Sequence, residues 1–345
     1  MSMNTLGPLI VGTLADVSNV EAQPAEVACS AGVANAAVEV IEPRIVPLGG
    51  PRAMTVRRTL PTRGRSMVGA WCFADHYGPD DVSETGGMNV PPHPHTGLQT
   101  VSWLFEGDVE HRDSAGVHAL VLPGELNLMS AGHGISHSEV STPSTTRLHG
   151  VQLWIALPDA VRNGPNGFQH YAPEEFEIAP GVTGRVFIGA LAGQTSPAVT
   201  ATPLLGAELL LAPGAQAVLE VDGDFEHALL LDTLALTING IPLRRGDLGF
   251  VGPGRRTLDI ANPTEGEARA ILLGGTPFTE DLVMWWNFVG RTHEEIVEYR
   301  AAWEARTGRA DDPGRFGTVG GWEPDDALPA PPLPTTHLKP RSRRN

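Results

Sequence analysis

Four residues of this chain have types and spacing that could do chemistry: His93 and His95 in "PPHPHTGLQT", and His137 and Glu139 in "GHGISHSEVS". Alternate residues of a β-strand share a face, so each pair could deliver two donor atoms from one strand. A neutral imidazole offers one lone pair to a metal while its second nitrogen is held by an outer acceptor, and a carboxylate adds compensating charge. Three imidazoles and one carboxylate, without thiolates, are unlike the closed sites of structural zinc. They suit octahedral Fe(II), Mn(II), Ni(II) or Co(II), with positions left open for water, dioxygen or substrate. The stretch between the pairs is long enough for several strands, which would let the pairs lie across a barrel from one another.

Other polar residues make poorer centres. His133 precedes His137 by a helical spacing, but Gly132-His133-Gly134 reads as a turn. His111 in "EHRDS" reads as a loop residue or an outer partner of the site, and His118 and His149 lie in strand-like stretches without a paired ligand. His76, beside Asp75 in "ADHYGP", is a candidate for the mouth of a pocket. Ser136 and Ser138 lack the strand–elbow–helix pattern of a nucleophile. The glycines at 132 and 134 do not form a phosphate loop.

The elements that must position these residues are strands. Gly (40) and Pro (30) together make about a fifth of the 345 residues, well above the usual share of roughly 12%. Short apolar runs recur between turn clusters at the spacing of an antiparallel sandwich or barrel. "LHGVQLWIAL" alternates Val151, Leu153 and Ile155, the pattern of a half-buried strand. Asn239-Gly240 is a hairpin dipeptide between two strands. The length favours two domains. The expected division is an extension outside the fold over 1–40, a first barrel carrying the site over 41–160, a second barrel over 161–310, and a mobile Pro-rich tail over 311–345. "LPDAVRNGPNGFQHYAPEEF" reads as the link between the barrels. Near the end of the second unit, Ile296, Val297, Tyr299 and Trp303 have helical spacing, and Thr292 with Glu295 forms a capping-box pattern.

A net charge of −16 argues against direct nucleic-acid binding, which needs a basic surface. The terminal cluster Lys339, Arg341, Arg343 and Arg344 reads as a solvated end. Two cysteines, Cys29 and Cys72, imply no disulfide framework and suit a reducing compartment. The N-terminus lacks the features of a signal peptide, and no apolar run approaches a membrane span. The expected location is the cytoplasm.

Taken together, "VRRTLPTRGRSMVGAWCFADHYGP", "HPHTGLQTVSWLFEGDVEHRDSAG", "MSAGHGISHSE" and "MWWNFVGRTHEEI" resemble the pirin family of the cupin superfamily. The resemblance covers most of the chain, from about residue 43 to 303. Gly87, six residues before His93, and Gly107 after the following strand fit the looser cupin signature. It implies an all-β fold of two tandem cupin barrels with a short C-terminal helix, and one metal in the first barrel held by His93, His95, His137 and Glu139. In the second unit His227 has no partner two residues away, consistent with a barrel lacking ligands. Two positions depart from many family members. Thr96 replaces an Arg, and Gln99 replaces the acid that serves other cupins as a ligand, leaving Glu139 as the carboxylate.

The resemblance implies a divalent first-row metal, Fe(II) foremost, with Mn, Ni, Co, Cu or Zn as alternatives. The implied activity is dioxygenation of a flavonol such as quercetin, with O2 as co-substrate and Glu139 as catalytic base. The alternative is an iron-dependent redox sensor that binds a transcription factor or a metabolic enzyme.

Overall fold

The computed structural model describes residues 38–48, 54–305 and 314–341. Two barrels follow one another, each closed by a seven-stranded and a four-stranded antiparallel sheet. In the first, the long strands Trp71–Asp81, Leu98–Glu106 and Arg147–Ala156 form the centre of the large sheet. The small sheet runs in the order Asn89–His95, Ile135–Ser141, Val109–Asp113, His118–Val121. The second barrel repeats the plan, with Leu204–Leu211, Glu226–Leu231 and Ala268–Gly275 at the centre of its large sheet. Its small sheet contains the hairpin Ala235–Ile238 and Ile241–Arg244. Asn239 and Gly240 form the turn with φ of 49° and 77°, the double left-handed geometry that an Asn-Gly pair favours.

The strands do not respect the expected division at residues 40 and 160. Glu39–Ile41 pairs with Leu248–Val251 and so extends the second barrel's sheet. Gly167–Tyr171, inside the expected linker, pairs with Leu126–Ser130 of the first barrel. Each barrel thus gains an edge strand from beyond its own stretch of chain, which covers edges that would otherwise be open to pairing. Residues 1–37 of the expected extension lie outside the described residues.

One of the apolar clusters spans the seam and draws residues from both barrels. Trp103 and Phe187 pack with ring centroids 4.6 Å apart across the seam, and the buried Trp71 donates its Nε1–H to the Gly274 carbonyl at 3.1 Å. Helix His293–Ala305 buries Ile296, Tyr299 and Trp303; Val297, 38% exposed, falls off that face. Thr292 caps the helix through the Glu295 amide at 3.2 Å, while the Glu295 carboxylate reaches the Arg291 amide and Arg162 instead of closing the capping box.

The expectation of a mobile tail is corrected for residues 314–341. Phe316, Val319 and Ala330 are buried, and Phe316 packs on Trp303 and Phe288. The segment crosses the first barrel's small sheet: the Leu328 amide donates to the Pro92 carbonyl at 2.9 Å. Apart from short 3-10 turns at Gly314–Phe316 and Pro324–Asp326, the Pro-rich backbone is extended and can dock without losing much entropy.

Candidate metal centre

The site is built from two neighbouring strands, not from strands facing each other across the barrel. Asn89–His95 and Ile135–Ser141 are antiparallel partners, and His137 stands directly opposite His93. The register shifts between His137 and Glu139, so that Glu139 faces Val90. The extra residue lies at Pro91-Pro92, which have no amide hydrogen to give to the ladder and so favour a bulge. That bulge leaves the Pro91 carbonyl 2.9 Å from Nδ1 of His93.

His93, His95 and His137 are buried, and one nitrogen of each lies within 4.8 Å of the others. Nε2 of His95 and Nε2 of His137 are 3.0 Å apart. Each Nδ1 is engaged on the far side. His93 Nδ1–H donates to the Pro91 carbonyl, and His95 Nδ1–H to the Asn287 carbonyl at 3.2 Å. Nδ1 of His137 meets Nδ1 of His111 at 3.3 Å, and Nε2 of His111 is 3.1 Å from Asp113 Oδ2. Asp113 can only accept, which places a proton on His111 Nε2 and leaves its Nδ1 to accept from His137. All three ligand candidates therefore carry their proton on Nδ1 and turn the Nε2 lone pair inward. Two lone pairs 3.0 Å apart repel without a cation between them. With metal–imidazole bonds of about 2.1 Å, an octahedral edge measures about 3.0 Å, so the donor set fits a first-row ion. Burial holds the His93 imidazole down to about 4, and burial together with the neighbouring rings holds His95 and His137 well below the usual range. All three are thus in the neutral form that metal binding needs.

Glu139 lines the same cavity but stands outside the tight imidazole group. Its Oε1 lies 3.3 Å from the Ser102 hydroxyl, whose nearer acceptor is Gln152 Oε1 at 2.9 Å. Burial pushes its carboxyl above the ordinary carboxylate range. Ser136 and Ser138 alternate to the outer face, where Ser136 donates to the Phe316 carbonyl at 2.9 Å and Ser138 accepts Trp322 Nε1–H at 3.0 Å. They anchor the C-terminal segment. His133 is exposed, and His118 is exposed and pairs with Glu110. Gln99 is occupied with Ser130 at 2.8 Å.

The cavity has a volume of about 90 Å³ and is walled by Phe73, Tyr77, Trp154, Trp286 and Leu328. Phe73 and Trp154 stack at 4.1 Å, with the Arg58 guanidinium 4.4 Å above Phe73. Arg58 is itself held by a buried bidentate pair to Asp75, both contacts at 2.7 Å. Trp286 and Asn287 come from the hairpin Val283–Trp285/Phe288–Gly290. That hairpin reaches the site because Gly97, with φ of 66°, has no Cβ to meet the Val289 carbonyl. No local pattern of residues marks this hairpin, or Leu328, as closing the site.

His76 does not line the cavity, contrary to its expected place beside Asp75. Alternation turns it to the opposite face, against the second barrel. There His76 Nε2 and His149 Nε2 lie 2.7 and 2.6 Å from the same oxygen of buried Asp232. These separations are N–H···O bond lengths, shorter than a coordination edge. Arg269 lies 3.4 Å from the second oxygen, and Arg245 bonds the Asp232 carbonyl. A site so supplied with positive charge does not call for a metal ion; it is a hydrogen-bonded clamp between the barrels.

Fold and site define a bicupin with one histidine-rich centre in its first barrel. Among the described residues, no set of three candidate ligands lies within the second barrel. Family comparison agrees: the "Pirin" sequence family matches residues 53–155 and "Pirin C-terminal cupin domain" matches 206–309. The chain belongs to the pirin family. It is 41% identical over 291 residues to a Pseudomonas aeruginosa protein provisionally named a quercetin 2,3-dioxygenase, covering 84% of this chain and 89% of that one. A pirin-like protein of Caulobacter vibrioides is 33% identical, over 72% of this chain and 88% of that one. The crystal structure of a quercetin 2,3-dioxygenase from Acinetobacter baumannii superposes with a TM-score of 0.80 at 36% identity, covering 87% of this chain and 96% of that one. Among the described residues, no helix is long and apolar enough to cross a membrane.

Proposed function

We propose that this protein is a cytoplasmic metal-dependent dioxygenase that cleaves a flavonol such as quercetin with O2. His93, His95 and His137 would hold Fe(II), and Glu139 would serve as fourth ligand and base. The observation that carries the reading is the gathering of one ring nitrogen from each of His93, His95 and His137 within 4.8 Å at the wall of an aromatic cavity. The named relatives support the choice of substrate.

When bound, the ion supplies a Lewis-acidic centre that acidifies a substrate hydroxyl placed on it. The residues of the chain do the rest. Glu139, at the rim of the imidazole group, accepts that proton on its carboxylate; its raised affinity for a proton suits a general base. The Ser102 hydroxyl, within reach of both the carboxylate and Gln152 Oε1, can turn to either. Phe73, Trp154 and Trp286 keep the substrate's rings out of water. The deprotonated ring is then electron-rich enough to react with dioxygen; both oxygen atoms enter the product and one ring carbon leaves as carbon monoxide.

Oxygen uptake with quercetin, measured on protein loaded separately with Fe, Mn, Ni and Co, tests the proposal. Uptake matched mole for mole by flavonol loss supports it. Silence with every metal refutes it and favours the redox-sensing regulator.

A further inference from the structure

Four non-glycine residues among those described have positive φ: Ala192, Leu234, Asn239 and Trp286. Of these, Trp286, at 53°, is the only aromatic and the only one that lines the metal cavity. It occupies the first place of a two-residue hairpin loop, between the paired residues Trp285 and Phe288. Such loops give their positive-φ positions to Gly, Asn or Asp, as Asn239-Gly240 does elsewhere in this chain. Here Asn287, the residue suited to that conformation, takes the second place, and a bulky indole takes the strained one. Strain of this kind persists where the surrounding structure imposes it and is concentrated at functional sites.

Packing alone does not account for the choice. Trp286 touches Phe288 edge-on at 5.4 Å and Trp303 at 6.5 Å, yet its side chain remains only partly buried and contributes to the cavity wall. The same turn sends the Asn287 carbonyl to His95 Nδ1. One two-residue loop thus orients a metal-ligand candidate through its backbone and presents a flat apolar surface beside it through its side chain.

We propose that Trp286 is the specificity-determining residue of the cavity, the surface on which the planar ring system of an aromatic hydroxyl substrate stacks while its oxygen meets the metal. This rests on the metal-centre reading above. The test is a binding measurement without turnover, on protein loaded with redox-inert Zn(II) under anaerobic conditions. The probes are quercetin, 4-nitrocatechol (a smaller planar diol) and azide, which needs only the metal. Trp286→Gly relieves the backbone and removes the ring; Trp286→Phe keeps a ring; Trp286→Leu keeps apolar bulk without one and replaces the Gly variant if that is not recovered folded. From stacking and lost apolar contact, quercetin should bind about tenfold to thirtyfold more weakly to the Gly and Leu variants. It should bind within about threefold of wild type to the Phe variant. Azide affinity and zinc content should not change. Equal quercetin affinity in all variants overturns the proposal, as does a parallel loss of azide binding, which would mark a structural role. Wild-type protein that binds 4-nitrocatechol in a Trp286-dependent way but not quercetin upholds the stacking surface and refutes the flavonol. Wild-type protein that binds neither diol refutes both.

Discussion

Replacing Asp232 by Ala removes the shared acceptor of His76 and His149 at the barrel seam. Asp232, His76 and His149 are 1%, 0% and 4% exposed, so solvent cannot fill in for the carboxylate. Burial alone would raise the Asp232 carboxyl, but the two imidazole donors outweigh it and hold the group below the ordinary range. A depressed acid contributes stability that is present above its unfolded pKa and lost only as pH falls through the folded one; the clamp therefore stays ionised at neutral pH. Leaving two buried imidazole donors without their acceptor costs about 1–3 kcal/mol each, and a total of about 4 kcal/mol corresponds to a fall of roughly 10 °C in the unfolding midpoint. Asp232→Asn retains the acceptor oxygen and loses the charge, so its cost should be smaller. The effect should extend to the metal cavity, because Trp71–Asp81 and Arg147–Ala156 carry the clamp on one face and Phe73, Asp75, Gln152 and Trp154 on the other. Guanidinium unfolding of the three proteins at pH 7, without metal, measures this. A change below about 0.5 kcal/mol for the Ala variant, the size of an ordinary surface substitution, would refute the clamp.

Glu139→Gln should keep at least half of the metal while oxygen uptake falls by about 10²-fold or more, the usual contribution of a general base; full turnover in the variant would remove Glu139 from the reaction. His111→Phe or Asp113→Asn should weaken metal binding about 10–100-fold by freeing the His137 ring, as loss of outer-shell partners does, and competition with a chromophoric chelator reads this directly. Acid should destabilise the metal-free protein in a defined window. The folded chain holds His93 at about 4 against an ordinary 6.5, so as pH falls below 6.5 the unfolded chain takes up protons that the folded one refuses. The loss is about 3 kcal/mol by pH 4 for His93 alone, with His95 and His137 shifted in the same direction. Thermal midpoints that are flat from pH 7 to 4.5 would contradict this.

Much of the fold was legible because its signals are local. The strand alternation around Val151 and Leu153, the Asn239-Gly240 turn and the helix after Thr292 each depend on neighbours within a few residues. The pairs at 93/95 and 137/139 were legible for the same reason: a period of two puts their side chains on one face. What was not legible depends on long-range pairing. Nothing local says that the His93 and His137 strands are neighbours and not opposed, or that a bulge at Pro91-Pro92 sets Glu139 opposite Val90. The role of His111 needs Asp113 and His137 together, and that of His76 needs a partner in the other barrel. Trp286 is the clearest case. In the sequence it is one of two adjacent tryptophans, and only the backbone angle and the cavity around it distinguish it from its neighbour.

The imidazoles of the first barrel, and not those at the seam, should hold the metal. Metal content per chain, measured after growth without added metal and again after loading, decides between the two clusters. The expected result is one ion in wild-type protein and in His76→Ala, and none in His137→Ala. An ion retained by His137→Ala, or lost from a folded His76→Ala, would place the metal elsewhere.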